Sequence, residues 1–373
     1  MLQQRIPATV ITGFLGAGKT TLIRNLLMKA DGERLALIIN EFGDVGVDAS
    51  LAKECGASSC DADSIIELAN GCICCTVADD FMPSMEALLN QSPPPDRIII
   101  ETSGLALPQP LVQAFQWPSI RTRAMLDGVV TVVDGPALAM GQVASDMSAL
   151  EAQRQLDPEL DHDTPINELF HDQLSAANIL VMAKTDLMTK EDKAKVRDKL
   201  GRLMAQDTPV IETDASNAPM GAIFGLGLED EAFARSAHSL HDHHHHDHDH
   251  DDHDDHDDDH DDHHHDHGHD AFKTVIMTLP PLGDSVDIVH AIRDLAGPGG
   301  MLRAKGFLAV QGKVAPLVIQ AVGSRVDHYY AQTDMLGDSQ DPDMAAGLGR
   351  LVVIGYADMD VSGLAERVGG QIT

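Results

Sequence analysis

Three cysteines lie within four positions: Cys72, Cys74 and Cys75 in the segment Gly71-Cys72-Ile73-Cys74-Cys75-Thr76. Deprotonated thiols bind Zn²⁺, Cu⁺ and Co²⁺ well, and this spacing lets at least two sulfurs reach one ion without closing a long loop. A structural zinc site normally has four protein ligands. Because only three thiols are local here, the pattern favours an exchangeable metal site over a structural one, with redox exchange through a Cys-x-Cys pair as the alternative.

The other two cysteines, Cys55 and Cys60, fit no compact spacing of metal ligands. We interpret them as structural or exposed thiols. The total of five cysteines is odd and clustered, which is typical of metal or redox chemistry in a reducing compartment and not of a disulfide framework.

A phosphate-binding pattern lies about fifty residues before the thiols. The segment Gly13-Phe14-Leu15-Gly16-Ala17-Gly18-Lys19-Thr20 matches GxxxxGK[ST], follows a β-branched run and precedes a segment with helical apolar spacing. In such a loop, backbone N–H groups face the phosphates, Lys19 reaches the β- and γ-phosphates, and the Thr20 hydroxyl binds Mg²⁺. The predicted nucleotide-binding residues of the loop are Gly13, Gly16, Ala17, Gly18, Lys19, Thr20 and Thr21.

An acidic residue and a glycine follow the apolar run 97–100, at Glu101 and Gly104. In nucleotide triphosphatases with this loop, an acidic residue at a strand end holds the magnesium shell, and a nearby backbone N–H senses the γ-phosphate. We therefore predict that Glu101 binds Mg²⁺ together with Thr20. Gly104 would contact the γ-phosphate, and its segment would move when that phosphate is lost.

Glu41 and Asp44 follow another apolar run, residues 35–39, which lacks alternation and therefore predicts a strand buried on both faces. Ligand-binding groups gather at the carboxyl ends of parallel strands. We include Glu41 with Lys19 and Glu101 as the predicted catalytic residues. The alternative is that Glu41 and Asp44 are solvated loop carboxylates.

The segment that we expect to recognise the base of the nucleotide is Ala183-Lys184-Thr185-Asp186, which follows a further apolar run. Asp186 is placed to accept hydrogen bonds from the N1 and N2 donors of guanine, and Lys184 to lay its aliphatic stem over the base. A carboxylate paired with those donors rejects adenine, because unmatched buried polar groups are costly. The predicted nucleotide is GTP, and an exposed start of a charged helix is the alternative interpretation.

Residues 241–270, from His241 through His269 to Asp270, comprise 15 His, 14 Asp and one Gly. A segment without apolar residues cannot form a core of its own. Neutral imidazoles and carboxylates suit weak, multivalent capture of divalent ions, so the tract is a candidate metal reservoir as well as a linker. A solvated linker that binds metal only incidentally is the alternative.

The elements that must position these residues are unalternating apolar runs separated by helical segments, over a chain of 373 residues. This order predicts an α/β fold with a mostly parallel sheet. We expect a P-loop GTPase domain over residues 1–225, a disordered His/Asp-rich linker over 226–270, and a smaller α+β domain over 271–373. The last of these reads β-α-β-β with a final βα, and it holds no local catalytic constellation.

The amino-acid composition of the chain excludes two classes of partner, nucleic acids and membranes. The formal net charge of -33 includes the acidic tract, but acidic residues outnumber basic ones elsewhere too, and no Lys/Arg cluster of the kind that tracks a phosphate backbone is present. We therefore expect no nucleic-acid partner. No signal-peptide pattern and no run of about 18 apolar residues occurs, so we expect a cytoplasmic protein without a membrane partner.

Taken together, the phosphate-binding loop, Asn40-Glu41-Phe42-Gly43, the thiol motif, Glu101-Thr102-Ser103-Gly104 and Ala183-Lys184-Thr185-Asp186 resemble the motif set of the CobW family. The resemblance continues through residues 105–110 and 302–307 and so covers nearly the whole chain outside the histidine tract. One position departs from it, because the family's base motif usually begins with Asn where this chain has Ala183. We expect weaker GTP affinity there, with guanine selection kept by Asp186.

The resemblance implies a P-loop GTPase that acts as a metallochaperone, most similar to the cobalamin-biosynthesis branch of the family. On that basis we expect Co²⁺ at the three thiols, Mg-GTP at the loop, release of the ion on hydrolysis, and a cobaltochelatase or other metal-receiving protein as partner. The alternatives are a zinc chaperone with the same machinery, or a storage or sensor protein that binds metal through its histidine tract. A small-molecule kinase is disfavoured because no acceptor-binding segment is present, and the sequence leaves the oligomeric state open.

Overall fold

The computed structural model describes residues 5–29, 33–39, 65–67, 81–156, 165–204, 208–214, 218–225, 271–297, 299–331 and 347–372. The first part of the chain forms a seven-stranded sheet in which all neighbouring strands are parallel, in the order β3-β2-β4-β1-β5-β6-β7. These strands are β1 (Ile6–Thr12), β2 (Leu35–Ile39), β3 (Ile65–Glu67), β4 (Arg97–Glu101), β5 (Ala124–Asp134), β6 (Ile179–Ala183) and β7 (Val210–Glu212).

Helices cover both faces of this sheet, which is why β1, β2 and β4 are buried along their whole length. They are α1 (Lys19–Lys29), α2 (Met82–Leu89), α3 (Gln109–Ala114), α4 (Pro118–Arg121), α5 (Gly135–Ala139), α6 (Met147–Leu156), α7 (Ile166–Ser175), α8 (Lys190–Leu203) and α9 (Met220–Phe224). One face packs against α2, α3, α4, α7 and α8, and the other against α1 and α9.

Strand β5 begins at Ala124, four residues before the uninterrupted apolar run that starts at Gly128. Opposite β1, Ala8 pairs with Leu126 and Thr9 with Gly128, so Asp127 is skipped in the register. A bulge of this kind re-aims one side chain and lets the strand continue. Asp127, the polar residue that interrupts the apolar pattern, therefore lies inside the strand.

The C-terminal part forms a six-stranded antiparallel sheet in the order β11-β10-β9-β12-β8-β13. Its elements are β8 (Phe272–Leu279), α10 (Ser285–Leu295), β9 (Met301–Leu308), β10 (Leu317–Val322), β11 (Arg325–Tyr330), β12 (Gly349–Tyr356), α11 (Ser362–Val368) and β13 (Gln371–Ile372). Strands β11 and β13 are additions to the predicted order. The two sheets confirm the predicted fold class.

Alternate residues of the second sheet enter two different cores. On β12, Leu351 and Val353 pack with α10 and α11, whereas Val352 and Ile354 join the core that contains α1 and α9. Successive side chains of a strand point to opposite faces. The antiparallel sheet is therefore held between its own helices and the first sheet's helical layer.

Polar contacts reinforce this junction. Arg303 on β9 is 2% exposed; its Nη1 lies 2.6 Å from Oδ2 of Asp127, and its Nε donates to the carbonyl oxygens of Ala222 and Ile223 at 3.1 and 3.0 Å. Burial alone would raise the pKa of Asp127, but the positive charges of Arg303 and Arg97 outweigh it and hold that pKa below its ordinary value. The two sheets are thus joined by a buried ionic contact as well as by apolar packing.

Tyr356, at the end of β12, makes a second polar contact between the sheets. Its hydroxyl donates to the carbonyl oxygen of Val210 at 2.8 Å, and burial raises the pKa of this phenol to about 12.

Among the described residues, no helix combines the length and apolar character needed to cross a bilayer.

Candidate nucleotide-binding site

The loop between β1 and α1 has the backbone that its glycines permit. Gly13, Gly16 and Gly18 have φ values of 137°, 72° and 110°, which side-chain-bearing residues rarely adopt. A Cβ on Gly13 would also overlap the carbonyl oxygen of Val132 on β5. The loop is therefore held closely against the sheet, and its curl turns toward the N-terminus of α1, where anions are favoured.

Lys19 and Thr20 open helix α1 at this loop. Lys19 is 8% exposed, and its Nζ lies 2.8 Å from the carbonyl oxygen of Gly13. Thr20 Oγ1 lies 3.5 Å from Oε1 of Glu101, which is 2% exposed at the end of β4. A hydroxyl and a carboxylate side by side are the hard oxygen ligands that Mg²⁺ prefers, so this pair fits the predicted magnesium role.

The Gly104 segment lies directly against the loop. Thr102 N donates to Ile11 O at 3.0 Å, which prolongs the pairing of β4 with β1 beyond the strand. A Cβ on Gly104 would stand 2.8 Å from the backbone nitrogen of Leu15. Only a glycine fits at that separation, so the predicted γ-phosphate sensor is in close contact with the loop's backbone.

One glutamine that no sequence motif marks bonds to this segment, and a second lies beside it. Gln173 on α7 is 1% exposed, and its Nε2 donates to the carbonyl oxygens of Gly104 and Ala106 at 3.1 and 3.0 Å. On α6, Oε1 of Gln153 lies 3.4 Å from where a Cβ on Gly104 would stand. A lone glutamine within a helical pattern gives no local signal of such a contact.

The base motif, residues 183–186, begins at the last residue of β6, where the sequence predicts it. Lys184 has φ +60°, and its Nζ lies 2.6 Å from Oδ2 of Asp134 at the end of β5. Thr185 N donates to Thr213 O at 3.2 Å, and Thr213 N donates to Met182 O at 3.0 Å. The ends of β5, β6 and β7 are thereby tied together at one edge of the sheet.

A cavity of about 140 Å³ opens between α1 and these strand ends. Its lining includes the predicted residues Gly18, Thr21 and Lys184, together with Ala183, and it also includes residues that the sequence analysis did not select: Leu22, Asn25, Val132, Val181, Thr213, Asp214 and Ala218. Asp186 is exposed and is not part of this lining, so its pairing with guanine stays a prediction.

Ala183 and Gly18 are neighbours in the lining of this cavity, since a Cβ on Gly18 would lie 3.5 Å from the Ala183 Cβ. The asparagine that the resemblance to the family would place here adds an amide to the lining of this cavity. The departure noted in the sequence therefore lies in the cavity itself, where a side chain can act on a bound nucleotide.

Glu41, the three thiols Cys72, Cys74 and Cys75, and the histidine tract lie outside the described residues. The strands that precede the first two are described, and Ile39 at the end of β2 pairs in register with both Glu67 of β3 and Glu101 of β4. The ends of β2 and β3 therefore lie in register with Glu101, the predicted magnesium ligand at the end of β4. Within the described part of the chain, no group of three or more His, Cys, Asp or Glu residues is placed to hold a metal ion.

Comparison with known proteins connects these features. The family model "CobW/HypB/UreG, nucleotide-binding domain" matches residues 7–212, and "Cobalamin synthesis protein cobW C-terminal domain" matches residues 282–370. The matches correspond to the parallel and the antiparallel sheet, and the first spans more than half of the chain.

Among the most similar relatives is a protein from a Sinorhizobium species named "Zinc chaperone CobW", 47% identical over 98% of this chain and 97% of its own. A Pseudomonas aeruginosa protein of the same name is 39% identical over 98% and 91%. "Zinc chaperone YjiA" of Escherichia coli is 31% identical over 60% and 64%. The chain therefore belongs to the CobW/HypB/UreG family of P-loop GTPase metallochaperones, as its motifs predicted.

Proposed function

We propose that this chain is a zinc chaperone that binds Zn²⁺ through Cys72, Cys74 and Cys75 and delivers it in a cycle driven by GTP hydrolysis. The observation that carries the proposal is the pair of relatives named "Zinc chaperone CobW", each aligned over 98% of this chain. The chemistry agrees with it, because thiolates bind Zn²⁺ more tightly than Co²⁺ at sites of the same kind.

The described residues supply the nucleotide half of this cycle. Lys19 and the N–H groups of the loop bind the β- and γ-phosphates, while Thr20 and Glu101 would hold a magnesium ion, whose charge would offset that of the phosphates. Gly104 donates its N–H to the γ-phosphate. When that phosphate leaves, the Gly104 segment loses a contact and shifts against Leu15.

In this cycle, metal binding at the thiols is coupled to the nucleotide site through neighbouring strands of the parallel sheet. Strands β2 and β4 pair side by side and end level at Ile39 and Glu101, and β2 leads to Glu41 while β3 leads to the thiols. A change at Glu101 is thus made beside the end of β2, the strand that precedes Glu41 in the chain and that pairs on its other side with β3, which precedes the cysteines. We infer that GTP favours the metal-binding arrangement of the thiols and that hydrolysis releases the ion to a receiving protein.

Cobalt delivery for cobalamin biosynthesis, with a cobaltochelatase as receiver, is the second candidate. It is supported by the C-terminal match, whose description names cobalamin synthesis. Storage by the histidine tract is a third candidate. Deleting residues 241–270 separates it from the others, because a chaperone keeps one tight site that depends on nucleotide, whereas a store loses nearly all of its capacity.

The test is a competition titration of Zn²⁺ against Co²⁺ with Mg-GTP present, on the full chain and on the variant Cys72→Ser/Cys74→Ser/Cys75→Ser. We expect one tight Zn²⁺ site that the triple substitution abolishes, with Co²⁺ displaced at equal concentration. A tight site that survives the substitution would refute the thiols as ligands. Preference for Co²⁺ would move the assignment to the second candidate.

A further inference from the structure

Asp134, at the carboxyl end of β5, is a fully buried carboxylate that the nucleotide chemistry above does not use. It is 0% exposed and accepts three hydrogen bonds: from Lys184 Nζ at 2.6 Å, from Ser145 Oγ at 2.5 Å and from Ala137 N at 3.0 Å. The last of these caps helix α5. A buried carboxylate costs free energy unless it is paired in this way.

The partner of this carboxylate is the lysine of the base motif. Asp134 pairs in register with Ala183, so the carboxylate stands beside the point where the chain leaves β6 for Lys184. Lys184 has φ +60°, a left-handed conformation that costs a non-glycine residue free energy and persists only where its surroundings enforce it. The ion pair to Asp134 restrains Lys184 in this way and keeps it in the lining of the 140 Å³ cavity.

The ends of β5 and β6 lie too close together to leave the backbone at Lys184 much freedom. A Cβ on Gly135, directly after Asp134, would stand 2.9 Å from the carbonyl oxygen of Ala183. The two strand ends therefore approach as closely as a glycine allows. This closeness brings the lysine ammonium within reach of the neighbouring strand's carboxylate.

Ser145 is the second side chain that contacts this carboxylate. It lies just before helix α6, whose Gln153 is placed against Gly104. One carboxylate thus contacts the lysine that lines the base cavity and also the serine that precedes the helix behind the predicted γ-phosphate sensor.

We propose that Asp134 is a positioning residue for GTP, which fixes Lys184 at the base cavity and, through Ser145, the start of helix α6 behind Gly104. The inference rests on GTP binding at this site, which the proposed chaperone cycle also uses. It does not depend on which metal the thiols bind. It adds to that cycle a residue that touches no part of the nucleotide.

The test compares Asp134→Asn with Asp127→Asn, a matched loss of a buried carboxylate on the same strand at the junction between the sheets. Asp134→Asn keeps the side-chain size but removes the charge that pairs with Lys184. We expect its KM for GTP and its Kd for GDP to rise about tenfold or more, with a smaller change in kcat. Preference for guanine over adenine nucleotides should fall, while Asp127→Asn should lower stability and leave KM unchanged.

A second pair of variants keeps the inference testable if Asp134→Asn does not fold. Lys184→Arg retains a cation for Asp134, whereas Lys184→Met retains only the aliphatic stem. We expect Lys184→Arg to stay within about threefold of the wild-type GTP affinity and Lys184→Met to lose about tenfold.

Wild-type GTP affinity in Lys184→Met, or in a folded Asp134→Asn, would overturn the positioning role. Failure of the chaperone proposal has a different signature: GTP binding responds to these variants as described, but Zn²⁺ affinity does not respond to nucleotide.

Discussion

Arg303 of the antiparallel sheet and Asp127 of the parallel sheet form a buried ion pair with 2.6 Å between Nη1 and Oδ2. Arg97 adds a second cation 3.6 Å from the same oxygen, and Thr9 Oγ1 donates to it at 3.3 Å. The β-bulge in β5 presents Asp127 to these partners. The two family-matched parts of the chain are therefore joined at one charged point inside a shared apolar core.

Removing one partner of this pair should destabilise the whole fold. Arg303→Met leaves Asp127 buried without its nearest cation, and we expect a loss of about 3–5 kcal/mol in the free energy of unfolding. Urea unfolding measures it. The control is Arg34→Gln, which breaks a pair of the same 2.6 Å length whose side chains are 45% and 38% exposed, and it should cost about 1 kcal/mol or less. Equal effects from the two substitutions would contradict the junction's role.

The contribution of Asp127 should depend on pH in one direction. Its pKa is lower in the folded than in the unfolded protein, so its stabilisation is complete above the ordinary aspartate pKa of about 3.9 and is lost as pH falls through the folded value. The stability difference between wild type and Asp127→Asn, measured in urea, should be constant from pH 7 to 5 and shrink below that. A difference that grows in acid would show that the sign is wrong.

Gly104→Ala should impair GTP hydrolysis, because the added Cβ would stand 2.8 Å from Leu15 N and displace the segment from the loop. We expect kcat/KM for GTP to fall about tenfold or more, equivalent to about 1.4 kcal/mol of lost transition-state stabilisation. Gly201→Ala on α8 is the control: its Cβ meets nothing within 4 Å, so activity should persist and helix stability should rise by up to about 1 kcal/mol. A fully active Gly104→Ala enzyme would remove this residue from the mechanism.

Ala183→Asn should strengthen GTP binding, because the new amide enters the cavity beside Gly18 and Lys184. One added neutral hydrogen bond is worth about 0.5–1.5 kcal/mol, a gain of about two- to tenfold in affinity. Titration with a fluorescent GTP analogue gives the Kd, and an ATP analogue checks selectivity. If GTP binds no better and ATP no worse, Ala183 is not the reason for any weakness in guanine binding.

Sequence patterns predicted the fold wherever burial dominates. The unalternating runs of β2 and β4 are where the patterns put them. Strand β11 was missed, although the Gly323-Ser324 turn between paired Val322 and Arg325 is a two-residue hairpin. The early part of β5 was missed because Asp127 breaks the apolar run and is explained only by a partner on a distant strand.

The placement of the candidate site residues was predictable where one contiguous motif contains them. The loop residues, Glu101 and Lys184 lie together at the carboxyl edge of the sheet because parallel strands bring their ends together. Asp134 and Gln173 were not selected, since each contacts residues that are distant in sequence. Tertiary contacts of that kind leave no local spacing to read.

In the proposed cycle, nucleotide state sets the affinity of the thiols for metal. The most direct measurement is the Zn²⁺ dissociation constant of the full chain, obtained by chelator competition with Mg-GDP and with a non-hydrolysable Mg-GTP analogue. We predict that affinity is at least about tenfold higher with the triphosphate, equivalent to about 1.4 kcal/mol of coupling, and that the triple Cys→Ser variant loses the difference. Equal affinities in the two nucleotide states would contradict the account.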